Sequence, residues 1–295
     1  MNSPTFFLLG FLLCFSQFTL AQTEVPTVLI SDTIPFELTE HNNISIQAVV
    51  NGSDTVNLMF HTAANDVSLI TSSAEKTTSI VWDKSSDIQS WGGESPSRVS
   101  TNNSLQIGKS KWDSLNIWEG QNSGPTTDGK FGPNLFENHA IELDFDKRIL
   151  IVHPTLPTKV DGFEKVALQN QDGLMFIEGT SKIGEKDYPQ KFLIHSGFSG
   201  LILYDDEFAK TSRIGSQIEI TSEQELKDSY NNVLKTKKGT LPEFSIGATT
   251  FDSITVGFFE GSIGRQKMSV MGGGMLKRFH VVIDASRENI YLKAS

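Results

Sequence analysis

The stretches "NLMFHTAANDVSLI" (57–70) and "KFLIHSGFSGLILY" (191–204) follow one plan: an apolar run reaches a histidine, small residues follow, and a second apolar run begins. Other segments repeat in the same order. "LQIGKSKWDSLNI" (105–117) matches "FSIGATTFDSITV" (244–256) as apolar-x-Ile-Gly, an aromatic, then Asp-Ser. "GPNLFENHAIELDF" (132–145) matches "GGGMLKRFHVVIDA" (272–285). His61 and His195 stand 134 residues apart, Gly108 and Gly247 139, and Gly132 and Gly272 140. A near-constant offset in unchanged order marks a duplicated unit. Two copies of one lobe are expected to face each other about a pseudo-twofold axis, with equivalent residues meeting near it. A single histidine closing an apolar strand reads as a satisfied core residue. The paired, repeat-equivalent placement turns His61 and His195 into candidates for a site or an interface.

Around these motifs, short runs rich in Val, Ile, Phe and Thr alternate with Gly, Asn, Asp and Ser clusters. That spacing predicts a mostly-β chain with only brief helices, the candidates being 134–139, 205–211 and 223–231. The two prolines of "HPTLPTKVDG" (153–162) read as a linker. At the N-terminus an uncharged apolar run ends in Thr19-Leu20-Ala21, which suits signal-peptide cleavage although no basic residue precedes it. Ser16 and Gln17 interrupt that run, which is short for a membrane span. The expected division is a signal peptide at 1–21, an N-terminal segment at 22–33, a first lobe at 34–153, a linker at 154–162 and a second lobe at 163–295. The expected location is secreted or periplasmic, with no membrane attachment after cleavage.

Composition narrows the chemistry. The formal charge is −10 and no block of Lys and Arg occurs, which argues against nucleic acid as a partner. The only cysteine, Cys14, lies in the leader, so the mature chain has no disulfide, thiolate nucleophile or cysteine-bound zinc.

Taken together, the motifs resemble the retropepsin-like and pepsin-like aspartic proteases, especially two-lobed exported bacterial forms, over essentially all of 34–295. "LMFHTAA" and "FLIHSGF" occupy the places of that family's Asp-Thr/Ser-Gly triplets. "DGKFGPNLFENHAIELDFDKRILIVH" (128–153) and "MSVMGGGMLKRFHVVIDASRENIYLKA" (268–294) fit its apolar-apolar-Gly turn, short helix and closing strands. The resemblance implies two β-barrel lobes, monomeric because both halves lie in one chain, with a cleft that holds an extended peptide or another polymer. It places His61 and His195 at the two catalytic aspartates. Thr62 and Ser196 fall on the hydroxyls that brace the loops, and Gly197 is kept. The sequence departs from the pattern at Ala63, where glycine is expected, and at Lys130, where an apolar residue is expected.

Two close carboxylates share a proton, so that one activates water while the other protonates the carbonyl oxygen. Imidazoles are bulkier and accept one hydrogen bond at most. Three readings follow. The first is an impaired protease homologue that binds its polymer without cutting it. The second is a peptidase with a His61/His195 dyad, and the third a metal site built on the same pair. Zinc wants three or four ligands, and Asp66 is the nearest acidic candidate in sequence. No cofactor is expected. "SWGGESPSRVS" (90–100) stands where the family carries a flap, so Trp91, Gly92 and Gly93 are candidate substrate contacts, or else an ordinary hairpin tip. Lys235, Lys237 and Lys238 read as a solvated strand edge. Asp144 and Asp284 read as turn-shaping residues, and Trp112 and Phe251 as core aromatics.

Overall fold

The computed structural model describes residues 31–90, 93–158, 160–227, 233–259 and 266–295. The expected signal peptide and residues 22–30 lie outside the described residues, as do Trp91 and Gly92.

Twelve strands build two barrels. The first lobe holds β1 (Ile44–Val50), β2 (Asp54–Phe60), β3 (Val67–Ile70), β4 (Gly93–Ile107), β5 (Ser110–Gly120) and β6 (Gly129–Phe131). The second holds β7 (Leu174–Ile183), β8 (Lys186–His195), β9 (Ile202–Leu203), β10 (Val233–Ile246), β11 (Thr249–Phe259) and β12 (Ser269–Gly272). Neighbours run β1-β2-β6-β3-β5-β4 in one lobe and β7-β8-β12-β9-β11-β10 in the other. Pairing of β1 with β4, and of β7 with β10, closes each barrel. The parallel pairs also repeat: β2 with β6 and β3 with β5, then β8 with β12 and β9 with β11. The order and directions of strands are therefore duplicated along with the sequence. The fold is mostly β, as expected, with two closed six-strand barrels.

Local chemistry explains the turns. Asn51-Gly52 joins β1 to β2 with both residues at positive φ (48° and 71°), the backbone that suits a tight hairpin. The repeated Ile-Gly is a turn as well, with Gly108 at φ 59° and Gly247 at φ 56°. A carboxylate sits under each: Asp32 accepts the Lys109 N–H at 2.7 Å and Glu164 accepts that of Ala248 at 2.8 Å.

Beneath the barrels lies a six-stranded antiparallel sheet shared by both lobes, in the order 32–35, 149–153, 140–144, 279–283, 289–294 and 164–171. Glu142 pairs with Val282, the residue 140 positions later, so the pseudo-twofold axis passes between them. Ile141, Leu143, Leu150, Val281, Ile283 and Leu292 bury one face of this sheet in the core. On the other face Glu142 accepts from His153 Nε2 at 2.6 Å and His280 Nε2 at 2.7 Å, and His153 Nδ1 meets Ser31 Oγ at 2.8 Å. The hydrogen bond from His153, with that from His280, holds the Glu142 carboxyl below its ordinary range. Asp144 and Asp284 each accept backbone N–H groups within the turn that follows them.

Two local expectations need correction. Residues expected as a helix over 223–231 enter a strand, Glu219–Lys227, which pairs with β10; residues 228–231 lie outside the described residues. Local helix propensity yields there to cross-strand pairing, in which Glu223 and Lys237 form an ion pair of 3.3 Å. For the same reason β10 is no edge, since it is paired on both sides. The other two expected helices are short: a 3-10 turn at Pro133–Phe136, and a helix at Asp206–Ser212 capped by Asp205, which accepts the Phe208 N–H at 2.7 Å. No helix among the described residues is long and apolar enough to cross a membrane.

Candidate functional site

His61 directly follows β2 and His195 ends β8. After each, the chain turns the same way: the N–H of Ala64 donates to His61 O and that of Phe198 to His195 O, both at 3.0 Å. The two turns then lock together. The Thr62 hydroxyl donates to Ile194 O at 2.7 Å and accepts the Ser196 N–H at 2.9 Å. The Ser196 hydroxyl donates to Phe60 O at 2.7 Å and accepts the Thr62 N–H at 3.0 Å. Both side chains are buried, so these four bonds form out of water. Asn43 adds a one-sided bond from its Nδ2 to Ser196 O at 3.1 Å. Nothing in the sequence pattern singled out Asn43, because its role depends on the second lobe.

This brace brings the two imidazoles edge to face, with ring centroids 4.5 Å apart and planes at 67°. Gly197 makes the approach possible: a Cβ there would lie 2.4 Å from His61 Cδ2 and 2.5 Å from Nε2. Its repeat partner tolerates a methyl, because Ala63 packs against the apolar cluster of Phe176, Leu193 and Val270. Gly197→Ala should therefore destabilise the protein by about 1–3 kcal/mol. Replacing His61 with serine in the same chain should recover most of that loss in a denaturant-unfolding cycle. Equal losses in both backgrounds would show that the ring is not what Gly197 accommodates.

His61 Nδ1 accepts the Ala63 N–H at 3.2 Å, which assigns the proton of the neutral ring to Nε2. His195 Nδ1 is buried without a hydrogen-bond partner among the described residues. Burial pushes His61 well below the ordinary histidine range, and the neighbouring His195 and Lys130 push it further. Burial likewise lowers His195 to about 4, with Lys130 contributing. Both rings are neutral at pH 7. Lys130 is itself lowered by burial, whereas burial raises the Asp66 carboxyl. No group of three or more His, Cys, Asp or Glu able to hold a metal forms among the described residues. Of the candidate flap residues, Gly93 opens β4 opposite Ser90, while Trp91 and Gly92 lie outside the described residues.

Comparison with known proteins places this geometry. No protein-family model matches the sequence, and no curated protein does. Among solved structures, the aspartic proteinase from Irpex lacteus superposes with a TM-score of 0.59. The match covers 90% of this chain and 98% of that one, at 14% identity. The chain has the aspartic-proteinase fold. Within that fold the braced turns of the two lobes meet on the pseudo-twofold axis, and His61 and His195 are the side chains they present to each other.

Proposed function

We propose that this protein is an exported, catalytically silent homologue of the aspartic proteinases that holds an extended peptide, or another polymer, in the cleft between its lobes. The observation that carries the reading is the pair of neutral imidazoles, His61 buried and His195 half-buried, at the meeting point of the lobes. An aspartic dyad needs two carboxylates that share a proton and grip a water between four oxygens. His61 and His195 offer no such oxygens, and His61 Nδ1 is already committed to the backbone of its own turn. Near neutral pH neither ring carries the proton that would have to be given to a carbonyl oxygen. The brace around them is nevertheless complete, which supports a cleft retained for binding. A cavity of about 420 Å³ opens beside the second turn, lined by Asn42 of one lobe and by Phe198, Leu201 and Val256 of the other. Export rests on the apolar leader that ends at Ala21.

The test is incubation of the mature protein with a diverse peptide mixture from pH 3 to 8, read by mass spectrometry, beside the variant His61→Ala/His195→Ala. We expect no cleavage by either protein. Cleavage by the natural chain that vanishes in the variant would overturn the silent reading in favour of an imidazole dyad. The variant His61→Asp/His195→Asp restores a carboxylate pair on an intact brace and is expected to gain measurable cleavage.

A further inference from the structure

The two lobes differ where their repeat is otherwise closest. In the second lobe, strand register sets Phe176 beside Leu193, Leu193 beside Val270, and Val270 beside Leu203. These four, with Ala63, Leu174 and Phe198, make an apolar cluster against the braced turns, separate from the main core. The same register in the first lobe sets Ser45 beside Met59, Met59 beside Lys130, and Lys130 beside Ser68. Side chains alternate along a strand, so these residues share the face opposite the buried Leu58, Phe60, Leu69 and Phe131. His61, two residues beyond Met59, lies on that face too. Phe176, Leu193, Val270 and Leu203 are thus answered by serine, methionine, lysine and serine.

Lys130 forms no ion pair or hydrogen bond with the described residues, and neither the Ser45 nor the Ser68 hydroxyl forms a hydrogen bond with them. Both serines are buried and Lys130 is half-buried. An ammonium taken from water without a counter-ion is costly. The chain carries ten more acidic than basic side chains, so anions to pair with are plentiful. Yet Asp66, the acid nearest His61 in sequence, makes no ion pair with Lys130. With Ser68 beside Lys130 and Ser45 one strand further on, beyond Met59, the ammonium and the two idle hydroxyls present up to five donor hydrogens on one face.

We propose that Lys130, with Ser45 and Ser68, binds a carboxylate of the polymer in the cleft, so that the ligand carries an acidic group on the first-lobe side and an apolar group on the second. The proposal rests on the cleft-binding reading for its polymer and on the strand register for its charge. It also accounts for a lysine at the position where the second lobe keeps valine.

Two measurements on the mature protein test it. In the first, sodium acetate is titrated while the histidine ring resonances are followed by NMR. Saturable shifts of His61 or His195 are expected, and they should disappear in Lys130→Met. That variant should fold, because Val270 shows that this position accepts an apolar side chain. In the second, fluorescent decapeptide pools with a central Glu are compared with pools carrying Gln there. The natural chain should favour the Glu pool by about 10-fold. Lys130→Met should bind both alike, and Lys130→Glu should favour a matching Lys pool. Equal binding of the Glu and Gln pools by the natural chain would overturn the acidic specificity and leave the peptide-binding reading standing. Acetate bound through Lys130 with no pool bound would keep the carboxylate site and sink the peptide reading. Absence of both acetate shifts and pool binding overturns the site itself.

Discussion

Lowering the pH from 7 to 4 should remove about 3 kcal/mol of stability through His195 alone, a large share of the margin of an ordinary domain. The ring is neutral in the fold and titrates there at about 4, against 6.5 for a free histidine. Below pH 6.5 the unfolded chain therefore binds a proton that the folded chain refuses, and stability falls as pH falls. The contribution is fully present above the unfolded value and is exhausted once the pH reaches the folded one. His61 shifts in the same direction and adds to the loss, since a second proton would face the first across a centroid distance of 4.5 Å. Urea unfolding at pH 7, 5.5 and 4 checks this against His61→Gln/His195→Gln. The natural chain should lose several kcal/mol more than the variant across that range. If both decline in parallel, the acid sensitivity belongs to carboxylates elsewhere and the rings are not held neutral by burial. The outcome also bears on function, because acid conditions that suit an aspartic dyad would here charge both imidazoles.

Thr62→Ala and Ser196→Ala should each cost about 2–5 kcal/mol, because either change orphans a buried N–H and a buried carbonyl at once. In a protein of this size that corresponds to a fall in Tm of roughly 5–15 °C. Removing the Thr62 hydroxyl leaves Ser196 N–H and Ile194 O unpaired; removing the Ser196 hydroxyl does the same to Thr62 N–H and Phe60 O. Thr62→Ser keeps every bond and should stay within about 1 kcal/mol of the natural chain. The double alanine variant should lose less than the sum of the singles, since the four bonds form one network across the axis. Additive losses, or single losses below about 0.5 kcal/mol, would mean that the shared sheet alone holds the lobes together.

Much of this architecture is legible in the sequence because it is written as order and spacing. The constant offset of His61/His195, Gly108/Gly247 and Gly132/Gly272 reports a duplication, and a duplicated β unit closes on itself about an axis. Asp144 and Asp284 were readable as turn residues because an Asx carboxylate bonds to its own following backbone. Gly197 was readable through the resemblance as a kept glycine, and the structure supplies the reason, since only hydrogen fits beside the His61 ring.

Other features had no local signature. Glu223 starts a run that favours a helix by propensity, and only Lys237 on the facing strand makes it part of a hairpin. Asn43 reaches a carbonyl 153 residues away, and Glu142 gathers two histidines only because the axis of the shared sheet passes beside it. Lys130 stood out in sequence merely as an unexpected lysine. The register that sets it between Met59 and Ser68, opposite the place of Val270, gives it a polar face and leaves it without a partner among the described residues. By itself the sequence determined the duplication, the mostly-β lobes and the meeting of the two histidines, all of which follow from period and offset along one chain. Tertiary structure alone decided the neutral state of those rings and the company of Lys130, because burial and cross-strand neighbours are properties of segments far apart in the chain.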